Sequence, residues 1–165
     1  MNNNQISYKG KVDIVVKRKG VVIKTTSGNN SGNNPLFYFL ANCLIGTYSE
    51  NQRPKFLRVG TKIDPSDDNE NITWSQGGFQ LTNNSINVLS NCCQAQYEFA
   101  VPGITINNTT IVALRLYNSV NLNTLSNYSA ELELDSDDYI EVTNGESTSI
   151  YITWTLSIQN VGGGE

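Results

Sequence analysis

The residues best suited to chemistry in this chain are carboxylates, and they fall in two clusters. Asp64, Asp67, Asp68 and Glu70 lie in "DPSDDNE", and Glu131, Glu133, Asp135, Asp137 and Asp138 lie in "ELELDSDD". A paired acid and base can hydrolyse a glycosidic bond, one protonating the leaving oxygen while the other activates water or attacks the sugar. Hard oxygen ligands bunched in one turn can instead take calcium, and Asp135, Asp137 and Asp138 are the candidates for that. Both clusters lie in or beside turns, where acidic side chains are usually just solvated. Neither stands in an aromatic-lined context, and the EF-hand spacing with its glycine is absent. No catalytic residue, cofactor or metal is therefore assigned.

The chain has no histidine, so the commonest general base is missing and Ser/His/Asp or Cys/His machinery is excluded. Cys43, Cys92 and Cys93 form an odd set without a C-x-x-C, and no histidine could complete a zinc site with them. They are expected to be reduced structural thiols. Gly77-Gly78 lacks the lysine and the helix of a phosphate loop. No enzyme is expected. Lys17, Arg18 and Lys19 form a basic run that could touch nucleic acid, but the net charge of −4 argues against nucleic acid as the main partner. The three remain interface candidates. Tyr48, Trp74, Tyr128 and Tyr139 could stack sugars, provided that they converge.

These groups must be held by strands. In "GKVDIVVKRKGVVIKTT", alternation followed by a Gly-ended turn predicts a hairpin, and "SGNNSGNNP" reads as the loop after it. "NNPLFYFLANCLIGTY" is the one helical stretch. Asn34 suits the N-cap, Pro35 the first turn and Gly46 the left-handed residue beyond the end. A helix over 35–45 with so little polar surface must be covered by the sheet or by a neighbouring subunit. "KFLRVG" reads as a strand, "TKIDPSDDNEN" as a loop and "GGFQLTN" as a restart. "INVLSNCCQAQYEFAVPG" reads as one long strand. "TTIVALRLYNS" is nearly continuous apolar sequence and so is expected to be central.

Further strands are expected around 129–134, 139–142 and 149–159. In the last, Ile150, Ile152, Trp154, Leu156 and Ile158 share one face. About eight strands with one helix predict an all-β, sandwich or jelly-roll-like domain over 1–165, with a short flexible arm at 1–6 and a tail at 161–165.

The 23 asparagines suit tight connections between short strands. No apolar run spans a bilayer, and "MNNNQISYKG" lacks the apolar core of a signal peptide, so a cytoplasmic site of synthesis is expected. Charge is sharply divided. Residues 1–62 hold ten of the 11 basic residues against Asp13 and Glu50, a balance of +8; the remainder holds Arg115 against thirteen carboxylates, a balance of −12. Either strands of opposite sign pair internally, or the molecule has two electrically distinct faces.

The order of motifs resembles that of small virion structural proteins of tailed bacteriophages. A hairpin precedes "SGNNPLFYFLANCLIGTY", then come "PKFLRVGTKID", "AQYEFAVPGITINNTTIVALRLYNS" and "SIYITWTLSIQN". The resemblance covers roughly residues 10 to 160. It departs after Val59-Gly60, where such proteins continue in Gly- and Thr-rich sequence. It implies a virion protein made in a bacterial host: an auxiliary capsid or head-fibre-associated subunit. Its partners would be other capsid, fibre, portal or tail subunits, in a homo- or hetero-oligomer, without a membrane. The alternative is a carbohydrate- or receptor-binding module of a phage tail or fibre.

Overall fold

The structure, a computed structural model, describes residues 6–32, 46, 54–76, 78–88, 92–106, 108–117, 128–143 and 147–160. The helix expected over 35–45, Cys43 and Tyr48 lie outside these. Gly46 has the left-handed backbone expected of it, at φ 72°.

The fold is all-β, as expected. The described strands are β1 (Ile6–Arg18), β2 (Val21–Gly32), β3 (Phe56–Lys62), β4 (Thr73–Trp74), β5 (Phe79–Val88), β6 (Cys92–Pro102), β7 (Thr109–Tyr117), β8 (Ala130–Glu133), β9 (Ile140–Val142) and β10 (Thr148–Asn160). Short 3-10 turns occupy Gly103–Ile106 and Ser136–Asp138. Every pairing is antiparallel, and the pairings run β3–β5–β6–β10–β1–β2–β8–β7 and back to β3. Sheet edges are thereby largely consumed. The ring is uneven, however. β5, β6, β10, β1 and β2 make one broad sheet, and β3, β7, β8 and β9 make a second. The corners β2–β8 and β3–β5 are narrow, with pairs at Ser31/Gly32 and at Phe56/Leu57 respectively.

The core lies between the two sheets. Val12, Ile14, Val16, Phe99, Ile150, Ile152 and Trp154 come from the broad sheet, and Leu57, Val59, Leu114 and Leu116 from the other, in one connected cluster. Period-two alternation places each set inward. β7 is central in its sheet, between β3 and β8/β9, and is buried along most of its length. This matches its unbroken apolar sequence.

Two local expectations are corrected. Residues 27–32, read as loop, continue β2, paired with β1 from Val12↔Gly28 to Gly10↔Asn30 and with β8 at Ser31 and Gly32. Glycine serves close approach here rather than a turn, because a Cβ on Gly28 would stand 2.6 Å from Leu132 Cδ1. The long strand expected over 86–101 is instead two, β5 and β6, folded back with Val88 opposite Cys93. The intervening "LSN" carries too weak a turn signal to read. No helix among the described residues is long and apolar enough to cross a membrane.

Candidate functional site

The registers bring one end of several strands to a common rim. Arg18, at the end of β1, faces Thr148, at the start of β10, and Ser149 faces Pro102, at the end of β6. Lys62, at the end of β3, faces Thr110, beside Thr109 and Val142, where β7 starts and β9 ends. The turn at Lys19 and Gly20 (φ 50° and 81°) closes β1–β2, and the Lys19 N–H donates to the Ser147 carbonyl at 2.8 Å.

This rim carries an unusual surface. The large apolar side chains left exposed among the described residues are Val21 (66%), Val22 (52%), Ile23 (47%), Ile63 (80%) and Tyr151 (44%). The first three open β2, Ile63 follows β3, and Tyr151 lies near the start of β10. A protein with an otherwise buried core that gathers its exposed apolar groups at one end presents a contact surface.

The interface candidates from the sequence sit here, although they diverge. The Lys17 ammonium stands 4.9 Å from the centre of the Tyr151 ring, on the outside of the broad sheet. Arg18 turns the other way, into a pocket of about 410 Å³ shared with Ile23, Lys24, Tyr139 and Glu141. Lys19 is exposed at the turn.

The acidic residues take two different roles. In the loop after β3, Glu70 accepts the N–H groups of Ile63 and Asp64, each at 2.8 Å, and Asp64 accepts the Ser66 N–H at 3.0 Å. The Ser66 hydroxyl also donates to Asp64, at 2.5 Å, and this bond first, then the one from the Ser66 N–H, holds the Asp64 carboxyl below the usual carboxylate range. Asp138 instead accepts from the Thr26 hydroxyl, while the Lys24 ammonium donates to the carbonyls of Asp137 (2.9 Å) and Tyr139 (2.8 Å). Asp135 and Asp137 point to solvent. Among the described residues, no three His, Cys, Asp or Glu side chains are grouped so as to hold a metal ion, and Asp135, Asp137 and Asp138 are no exception.

The aromatic candidates converge only in part. Trp74 and Tyr128 come together, with the Arg115 guanidinium 4.1 Å from the centre of one ring and 4.3 Å from the other. Arg115 Nε also donates to Glu131 Oε1 at 2.7 Å, with both side chains mostly buried. The Tyr128 hydroxyl bonds to Glu131 as well, and this bond chiefly raises its pKa. Arginine thus fills the gap between the rings that a sugar would need. Tyr139 is remote from this stack, beside Lys24.

Sequence reasoning missed Arg115 as an organising residue. A lone arginine in "TTIVALRLY" gives no sign of the Trp74 and Tyr128 rings that the fold delivers to it. It missed, too, that Arg58 stands directly opposite Arg115 on β3. Arg58 is buried, with its guanidinium 5.5 Å from the Tyr117 ring centre, within cation–π reach.

A pocket of about 510 Å³ opens beside the Trp74 stack, lined by Val59, Thr61, Trp74, Ser75, Phe79 and Ile106 among others. Its lining among the described residues includes no ionisable group. Comparison with protein-family models, with curated proteins and with solved structures returned no match to this chain.

Proposed function

We propose that this chain is a non-enzymatic structural or assembly subunit of a tailed-bacteriophage virion, of the auxiliary capsid or head-fibre-associated kind. One observation carries the reading: the exposed apolar side chains of the described residues gather at a single rim, around a basic turn and an acidic loop. Such a surface gains free energy by being covered, at about 25 cal/mol for each Å² of apolar area removed from water. The order of sequence motifs, which resembles small phage virion proteins, supplies the particle as the context.

The carbohydrate-binding alternative has less support. It needed clustered aromatic faces, and the pair that does cluster is filled by Arg115. The pocket beside it has Trp74 and Phe79 in its lining but, among the described residues, no charged group to orient a sugar.

The test is to purify assembled particles and measure this protein by quantitative mass spectrometry. A fixed copy number per particle, kept through repeated sedimentation, is expected. Absence from purified particles would overturn the proposal.

A further inference from the structure

The rim invites a more specific conclusion, which deepens the assembly reading and rests on it for its biological purpose. We propose that the rim is the docking surface for a second copy of this chain, with the basic β1–β2 turn of each copy against the acidic loop of the other.

The acidic loop is built to present its apolar residue. Ile63 is 80% exposed, yet its own N–H is fixed by Glu70, the next N–H is fixed by the same carboxylate, and the Lys62 ammonium donates to the Asp67 carbonyl at 3.0 Å. A loop tied down in this way loses little conformational entropy when it binds. Asp67 and Asp68 stand exposed beside it.

Elsewhere on the same rim, Val21, Val22 and Ile23 are exposed beside Lys19 and near Lys17 and Arg18. Glu141 links the two regions. It shares a pocket with Arg18 and Ile23, and it faces Thr110, which faces Lys62 on its other side. Two strand spacings, roughly 10 Å, therefore separate Glu141 from the base of the acidic loop.

The charges select the occupant. A uniformly acidic partner, nucleic acid or an anionic membrane included, would meet Lys17 and Lys19 but be repelled by Asp64, Asp67 and Asp68. A uniformly basic partner meets the reverse conflict. The occupant must carry both signs beside exposed apolar groups, and a copy turned about a two-fold axis does so by construction. Each basic turn then meets an acidic loop, with Ile63 and Val21–Ile23 available to fill the space between.

The test uses the full chain, with mass followed against concentration by analytical ultracentrifugation. Two charge variants are compared at exposed or half-exposed positions: Lys17→Glu with Lys19→Glu, and Asp67→Lys with Asp68→Lys. Unchanged thermal melting shows that each folds. The natural chain should dimerise, each variant alone should stay monomeric, and an equimolar mixture of the two should dimerise again, since both contacts are then restored with signs exchanged. Ile63→Ser should weaken dimerisation about tenfold, from the loss of its buried apolar area.

A natural chain that stays monomeric at every concentration overturns the inference. So does a mixture that fails to associate, or a dimer indifferent to both charge variants and to Ile63→Ser. Particle content separates this outcome from the broader reading: a monomer found in particles refutes only the docking surface, and a dimer absent from them refutes only the virion role.

Discussion

Several single residues here owe their state to a neighbour from a distant part of the chain. Tyr8, on β1, packs against the core, and its hydroxyl accepts a hydrogen bond from Asn30 Nδ2 at 3.1 Å. Burial pushes its pKa up to about 12 from 10.0; the bond from Asn30 pulls it down and the nearby Tyr97 pushes it further up. The sign of the consequence follows. Above pH 10 the unfolded chain gives up a proton that the folded chain keeps, so stability present below about pH 10 is lost as the pH climbs toward 12. Urea unfolding across that window should show the natural chain losing more stability than Tyr8→Phe, which has no hydroxyl to titrate. Parallel losses in the two proteins would exclude Tyr8 as the source. Arg115 makes the same point differently. It ties together Trp74 from β4 with Tyr128 and Glu131 from the segment around β8, and its own sequence neighbourhood contains none of them.

At the scale of elements, β10 is the clearest case of legible sequence. Its inward row was readable from alternation alone, and the structure buries Ile150, Ile152, Trp154 and Leu156, with Ile158 only half-buried where the strand leaves the core. β10 is also paired on both sides, with β1 and β6, so its side chains have little room to relax. Trp154→Ala should therefore cost about 3–5 kcal/mol, measured by chemical denaturation. A change within error would mean that the site is not the packed interior position described. What failed to be legible has a common physical cause. Gly28 and Asn30 resemble loop residues, but small size and side-chain hydrogen bonding are used against Leu132 and Tyr8. The break between β5 and β6 depends on pairing between strands, which local propensity cannot report. The acidic loop, with its Asp and Pro turn residues, was legible. That it holds Ile63 outward was not, since this requires Glu70 to fold back on the backbone.

For the whole molecule, the division of charge read from sequence left open whether strands of opposite sign pair internally. β1 resolves its own part of that choice. Its neighbours are β2 and β10, whose sequences contain no carboxylate, so Lys9, Lys11 and Lys17 lie beside Ser, Thr, Asn and Val positions. The only carboxylate on β1 itself is Asp13, which takes Lys11 at 2.7 Å with both side chains well exposed, a contact of little worth. Acidic residues collect instead on β8, β9 and the loops at 64–70 and 135–138, where Arg115 pairs with Glu131 and Lys24 bonds to the Asp137 carbonyl. Lys9 and Lys17 thus have no carboxylate on either neighbouring strand, and their charge can attract an acidic surface outside the monomer. Attraction of this kind is screened over about 8 Å at physiological ionic strength, whereas apolar burial is not screened. Retention on the particle should accordingly fall as salt rises and fall again when Lys17, Arg18 and Lys19 are all changed to Ser, with less further salt dependence in that variant. The measurement is the fraction that sediments with particles across a salt series. Retention indifferent to both salt and the triple change would assign the attachment to apolar contacts such as those of Val21–Ile23 and leave the charge division without a role in assembly.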